Sequence, residues 1–152
     1  MRVYLPVTLD ELQHGSPVLL TPRVVHAVTP QLRATWPDED EEGWEYAAQA
    51  GAADDSLVRV AASPGAPALR VVVAADVPDA AVRALTDPPV PSAVELTSGV
   101  DLAAIVSVHV DEPEAAADVR AVVDGDEAAI ERLEERDLLW YDVSEVADIP
   151  SV

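Results

Sequence analysis

The segment Leu69-Arg70-Val71-Val72-Val73-Ala74-Ala75 is the strongest indication of the fold in this sequence. Its nearly unbroken run of apolar residues is typical of a central strand that is covered on both faces. A helical pattern over 41–62 precedes this run, and shorter apolar segments separated by turn signals follow it. Helices that alternate with strands in this way predict a layer of helices packed on a sheet.

The other apolar segments set the expected size of the sheet. Segments that predict further strands lie at 2–5, 23–28, 94–96, 105–110 and 138–141. We expect the last of these to be buried. Since the segments within 94–110 have the spacing of a hairpin, we predict a mixed sheet of about five to six strands. The fold class is α/β, with α+β as the alternative, and residues 1–152 are predicted to form a single domain.

Helix signals accompany these strands. The apolar face predicted for the helix at 41–62 consists of Tyr46, Ala50, Ala53, Leu57 and Val60. Gly51 is a weak point in the middle of this helix.

Three shorter helices are predicted from their first residues. Thr8-Leu9-Asp10-Glu11 has the spacing of a capping box, and the helix it begins should end near His14 and Gly15. Thr29-Pro30 combines a hydroxyl N-cap with proline at the first helical position. Val77-Pro78-Asp79 predicts a helix that runs to about Leu85.

Large side chains are scarce in this chain. Phenylalanine is absent, and aromatic residues make up only 4% of the sequence. The core must therefore be filled by many small aliphatic side chains, with Trp36, Trp44 and Trp140 as its few large pieces.

The charge of the chain excludes several classes of function. It has 29 acidic residues against nine arginines and no lysine, for a net charge of −20. A surface this negative repels phosphates and anionic lipid, so we expect neither a nucleic-acid nor a membrane partner. The absence of lysine excludes Schiff-base chemistry, and the absence of cysteine excludes disulfides and thiolate nucleophiles. The first residues lack the apolar core of a signal peptide, which predicts a cytoplasmic protein.

Polar residues follow four of the predicted strands. They are Thr29, Asp76, Asp111 with Glu112, and Asp142. If these strands are parallel, the side chains share one edge of the sheet, where carboxylates could hold Mg²⁺ or act as general acid and base. The alternative is that each residue caps the helix that follows it. Pro30, Pro78 and Pro113 mark helix starts there, so we favour capping.

The histidines give the second candidate site. His109 and Asp111 lie two residues apart on one strand, so they point to the same face, and His26 lies on another strand. These three residues are the candidate metal ligands, while Asp76, His109, Asp111 and Asp142 are the candidate catalytic residues. A histidine on an apolar strand is more often a hydrogen-bonded core residue. Glycine-rich phosphate motifs are absent, and we predict no cofactor.

Blocks of sequence spread in order over nearly the whole chain resemble a family of small, uncharacterised actinobacterial proteins. These blocks are Val3-Tyr4-Leu5-Pro6, Ala27-Val28-Thr29-Pro30, Glu45-Tyr46-Ala47, 70–78, Val108-His109-Val110-Asp111 and Leu139-Trp140-Tyr141-Asp142. The resemblance implies a single-domain cytoplasmic protein from a GC-rich bacterium. No activity is known for the family, so it supplies no site residue.

The sequence thus favours a non-catalytic accessory or interaction protein whose acidic surface binds a basic protein. Its acidic segments are the turn at 38–42 and the helix at 126–137. The alternatives are a small metal-dependent or carboxylate-based enzyme with its site at the strand ends, and mimicry of nucleic-acid phosphates by the acidic surface.

Overall fold

The computed structural model describes residues 1–13 and 19–151. Their strands are β1 (Arg2–Val7), β2 (Leu19–Leu20), β3 (Arg23–His26), β4 (Val71–Asp76), β5 (Val82–Ala84), β6 (Ala93–Leu96), β7 (Val100–Asp101), β8 (Ile105–Val110) and β9 (Leu139–Tyr141). Their α-helices are α1 (Leu9–Gln13), α2 (Pro30–Thr35), α3 (Glu41–Ala62), α4 (Ala116–Val123) and α5 (Glu127–Glu134). Short 3₁₀ turns lie at Asp79–Ala81, Leu102–Ala104, Pro113–Ala115 and Val143–Asp148.

The main sheet has seven strands in the order β5-β6-β3-β1-β4-β8-β9, and β2 pairs with β7 in a separate ribbon. The expected layered domain of a sheet packed by helices is confirmed, with more strands than the predicted five or six. Every neighbouring pair in the main sheet runs antiparallel, so the α+β alternative describes the fold better. The predicted hairpin within 94–110 was wrong, because β6 pairs with β3 and β5 while β8 pairs with β4 and β9.

The apolar run that decides the fold forms β4, which lies between β1 and β8. Its residues Val71 to Ala75 are all buried, as expected for a strand covered on both faces. One face is covered by α3, whose Ala48 and Ala52 pack against side chains of β1 and β4. The other face is covered by α1, α4, α5 and the last 3₁₀ turn, which share the main apolar core.

Helix α3 has the predicted bounds, but only part of the predicted face is buried: Ala53 and Val60 are buried, whereas Tyr46 and Ala50 are exposed. The side chains that it buries are Ala48, Ala52, Ala53, Ser56 and Val60. Tyr46 is instead 62% exposed. The helix turns its smallest side chains to the sheet because these allow the closest approach of backbone to backbone, which outweighs the burial of one large ring.

Ser56 shows how close this approach is. Its buried hydroxyl donates a hydrogen bond to the carbonyl of Val7, 2.7 Å away, and accepts one from the amide of Val71 at 2.9 Å. The side chain therefore joins α3 to the facing ends of β1 and β4. An apolar side chain at this position would leave two buried backbone groups without these partners.

Three further predictions from the sequence were wrong. The last strand, expected to be buried, is β9, in which Leu139 and Trp140 are exposed. The helix predicted from Val77 to Leu85 is a 3₁₀ turn followed by β5, which pairs with β6. The tryptophans are not large core pieces, since Trp36 and Trp140 are exposed and Trp44 is half-buried. Small aliphatic side chains fill the core without them.

The predicted N-termini of two helices agree better with the structure. Thr29 caps α2, with Pro30 as its first residue. Glu11 accepts a hydrogen bond from the amide of Thr8, which is one half of the predicted capping box. The predicted end of that helix at His14 and Gly15 lies outside the described residues. None of the helices formed by the described residues combines the length and the hydropathy that a bilayer crossing requires.

Candidate functional site

A cleft opens on the α3 side of the sheet, because α3 packs on β1, β3 and β4 and leaves the outer strands β8 and β9 uncovered. It consists of two cavities of about 460 and 340 Å³ that share Tyr46 and Gln49. We call it the α3–β9 cleft. The larger cavity is also lined by Ala50, Ala53, Asp54, Arg70, Glu134, Arg136, Asp137 and Leu138. The smaller is also lined by Arg2, Tyr4, Glu42, Glu45, Ala74, Ser107 and His109.

Two large aromatic side chains stand exposed on this side of the protein. Tyr46 is 62% exposed on the α3 wall of the cleft. Trp140 is 61% exposed on β9 and is the cross-strand partner of His109, so both side chains lie on the same face of the sheet. Exposed aromatic side chains of this size are enriched at binding surfaces.

The arginines of the cleft are already neutralised by carboxylates. Arg2 forms a two-point pair with Asp76, and Arg70 forms one with Asp111. Arg136 bonds to Glu112 and Asp118. The guanidinium groups therefore contribute little net positive charge to the cleft.

Other carboxylates of the cleft form neither a hydrogen bond nor an ion pair with the residues at 1–13 and 19–151. These are Glu42, Glu45, Asp54, Glu134 and Asp137. They line both ends of the cleft, so its electrostatic potential is negative along its whole length.

Asp54 is the carboxylate whose ionisation the cleft disfavours. Loss of solvent around it raises its pKa above the ordinary value, and Arg70 opposes that shift while Asp55 and Glu134 add to it. Asp54 is nevertheless exposed, so a cation of a partner can reach it.

His109 lies on the floor of the smaller cavity, where its Nε2 is 3.0 Å from the hydroxyl of Ser107. Burial lowers the pKa of His109, so the ring is neutral at pH 7 and does not offset the negative charge. The pair adds hydrogen-bonding groups to the cleft without adding charge.

Comparison with known proteins gives a family and no function. A model of a family of unknown function, DUF6912, matches residues 1–149. The chain belongs to this family. The match confirms the family resemblance drawn from the sequence. No curated protein and no solved structure is significantly similar to the chain.

The sequence predicted that the polar residues at the strand ends could share one edge of the sheet. The structure places them apart. Asp111 follows the last residue of β8, which pairs with the first residue of β4, whereas Asp76 is the last residue of β4. The two carboxylates therefore lie at opposite edges of the sheet, because the strands are antiparallel and not parallel. Asp142 follows β9 at the same edge as Asp76.

Asp111 is the most buried of the candidate residues. Its side chain is fully buried and accepts hydrogen bonds from the amide, Nε and Nη2 of Arg70 at 2.8, 3.0 and 2.8 Å. The guanidinium of Arg70 also donates to the carbonyl of Leu133. Asp111 therefore holds the segment before β4 against the end of α5.

Capping, which the sequence favoured, accounts for two of the strand-end residues. Thr29 accepts a hydrogen bond from the amide of Leu32, and Asp142 forms a capping box with Glu145. The same prediction was wrong for Asp76 and Asp111, because both pair with arginines and neither side chain caps the turn that follows.

The candidate metal ligands are not brought together. His26 lies on β3 and His109 on β8, with β1 and β4 between them. His26 bonds to Asp55 and Ser92, whereas Asp111 pairs with Arg70. Within residues 1–13 and 19–151, no group of three or more histidine and acidic side chains has the arrangement of a metal site.

Sequence reasoning missed an array of serine, histidine and aspartate side chains. His26 Nδ1 is 2.7 Å from the hydroxyl of Ser92, and its Nε2 is 2.7 Å from Asp55. These residue types form catalytic triads, but a nucleophile must be reached by its substrate. Ser92 and His26 are buried, and neither lines the cavities described above. These hydrogen bonds connect β3, α3 and the segment before β6, so the array has a structural role.

Sequence reasoning also missed the cleft itself. Its α3 wall includes Tyr46, Ala50 and Ala53, and the helical pattern predicts all three on the buried face. A signal was present in the alternative helical face of Ala48, Ala52 and Ser56, whose small side chains are typical of close packing on a sheet.

Proposed function

We propose that this DUF6912 protein is a non-catalytic interaction protein of the cytoplasm that binds a positively charged segment of a partner protein in the α3–β9 cleft. The observation that carries the proposal is an open cleft in which unpaired carboxylates occur together with the exposed ring of Tyr46, while exposed Trp140 lies on the same face of the sheet beside His109. Carboxylates attract a basic segment, and aromatic faces bind its cations and its apolar stems.

Electrostatics favours a basic protein over other occupants. Lining carboxylates make the cleft negative, and the net charge of −20 adds a field of the same sign over the whole surface. Nucleic acid and anionic lipid would be repelled. A second copy of this chain would bring an equal negative charge to the interface, so self-association is opposed as well.

The enzyme alternative finds less support in the arrangement of its candidate residues. Asp76 and Asp111 are neutralised by arginines at opposite edges of the sheet, and Asp142 caps a turn. His109 lies in the cleft, but the hydroxyl of Ser107 is its hydrogen-bond partner and no carboxylate orients its ring. A histidine that acts as general acid or base needs a group such as a carboxylate within hydrogen-bonding distance to orient its ring.

Calorimetric titration with an acetylated, amidated arginine–serine repeat peptide tests the proposal. We expect saturable binding at low salt that weakens at least about tenfold between ~0.05 and ~0.5 M NaCl, because ions screen the exposed carboxylates. Trp140→Ala should weaken binding by about 1–2 kcal/mol, since it removes an exposed aromatic contact. The same peptide with citrulline in place of arginine should not bind.

Matched variants separate a local site from general charge attraction. Glu42→Gln/Glu45→Gln removes two carboxylates of the cleft, and we expect it to weaken binding severalfold. Glu114→Gln/Asp148→Asn removes the same charge from exposed positions on elements that pack against the opposite face of the sheet. Equal loss of affinity in both double variants would contradict a site in the cleft, as would the absence of binding at low salt.

A further inference from the structure

We infer that the larger cavity of the α3–β9 cleft receives a single guanidinium group, the end of an arginine side chain in the partner's segment. This inference deepens the proposed function and rests on it. The larger cavity has a volume of about 460 Å³, which is within the range of pockets that hold small molecules.

The carboxylates of this cavity come from three places in the chain. Asp54 belongs to α3, Glu134 ends α5, and Asp137 lies in the connection to β9. None of them forms an ion pair among the described residues, whereas Arg70 and Arg136 in the same cavity are paired with other carboxylates. The three carboxylates therefore leave the cavity with an excess of negative charge that attracts a cation.

The position of Asp54 adds a reason for a cation at this point. Partial loss of solvent and the nearby carboxylates disfavour its ionised form. Arg70 cannot fully offset this, because its guanidinium already bonds to both oxygens of Asp111. A cation from a partner would supply the missing charge.

The shape of the lining favours guanidinium over ammonium. Tyr46 supplies an aromatic ring on the α3 wall, and Gln49, which lines the same cavity, supplies an amide. A planar guanidinium can stack on the ring and direct its several N–H groups to carboxylates on different walls. An ammonium group is compact and more strongly hydrated, so it would lose more hydration free energy on entering the cavity.

The probe that tests this inference is Nα-acetylarginine amide, which has the guanidinium and no carboxylate. We expect saturable shifts in ¹⁵N–¹H spectra up to about 20 mM probe, centred on Tyr46, Asp54 and Asp137. Nα-acetylcitrulline amide, which is neutral, should cause none. Nα-acetyllysine amide should bind at least about threefold more weakly.

Two double variants serve as test and control. Asp54→Asn/Asp137→Asn should weaken binding of the arginine probe at least about fivefold, because it removes two of the three carboxylates of the cavity. Glu114→Gln/Asp148→Asn removes the same charge elsewhere and should change the affinity less than about twofold. Both variants change partly or fully exposed side chains, and thermal unfolding checks that each is folded.

Each outcome has a defined meaning. If the arginine probe causes no saturable shift while the arginine–serine peptide still binds in the cleft, this inference is overturned and the proposed function stands. If the peptide does not bind either, both fail. Equal affinity for the lysine probe would overturn the assignment to guanidinium, because the cavity would then recognise charge alone.

Discussion

Asp111→Ala should lower the free energy of unfolding by about 3–5 kcal/mol. The carboxylate of Asp111 has no exposed surface and accepts three hydrogen bonds from Arg70, which is itself buried. Truncation leaves the guanidinium, whose side chain is only 8% exposed, without its hydrogen-bonded counter-charge. The loss of one partner from a buried pair costs far more than the pair itself contributes, because the remaining charge stays desolvated.

Urea denaturation of Asp111→Ala and of Asp76→Ala compares the two ion pairs at opposite ends of β4. Arg2 and Asp76 also form a two-point pair, but both side chains are well exposed. Asp76→Ala should therefore cost less than about 1 kcal/mol. Similar small losses in the two variants would show that Arg70 finds solvent or another partner, contrary to the burial described above.

Gly51→Ala should destabilise the protein by about 2 kcal/mol, although alanine is the better helix former. A Cβ at residue 51 would lie 2.6 Å from Nδ1 and 2.8 Å from Cε1 of His26. The ring cannot move aside without breaking its hydrogen bonds to Ser92 and Asp55. The clash must then be relieved by moving α3 away from the sheet, which loosens the packing of its small side chains.

Gly43→Ala is the matched control in the same helix. A Cβ there meets chiefly the carboxylate end of Glu39, an exposed side chain that can rotate away. We expect this variant to be neutral or slightly stabilising, because the gain in helix propensity is not opposed. If thermal or urea unfolding ranks Gly51→Ala as equal to Gly43→Ala, α3 does not lie as close to His26 as described.

Local signals in the sequence were enough to predict where most elements begin and end. The run before Asp76 is a buried strand, the helix at 41–62 has its predicted bounds, and Thr29 caps α2. Each of these is signalled by residue types within a few positions of chain, such as an apolar run, a helical period or a capping hydroxyl. Such signals do not fix strand direction, which the hydrogen bonds between distant segments decide.

The candidate site was harder to predict because it depends on which face of α3 is buried. Hydrophobicity favoured the face of Tyr46, whereas the sheet accepts the face of Ala48 and Ala52. Because α3 packs on the sheet through this second face, Tyr46 remains exposed and a cleft remains beside it. Only the packing partner, the small residues of β4, decides between these two faces.

The roles of the carboxylates also depended on contacts that sequence cannot locate. Arg70 directly precedes β4 and Asp111 directly follows β8, so their pairing follows from the alignment of those two strands. Without that alignment, Asp111 has the same pattern as a helix cap before Pro113. The sequence predicted the carboxylate and missed its partner.

A map of the binding surface in solution would show whether the α3–β9 cleft binds a basic segment. ¹⁵N–¹H spectra are recorded while the arginine–serine repeat peptide is added at low salt. We predict that the largest shifts lie in 45–50, 107–109 and 138–141, and that the indole N–H signal of Trp140 shifts as well. Largest shifts on α4 and the turn at Val143–Asp148, or no saturable change, would contradict it.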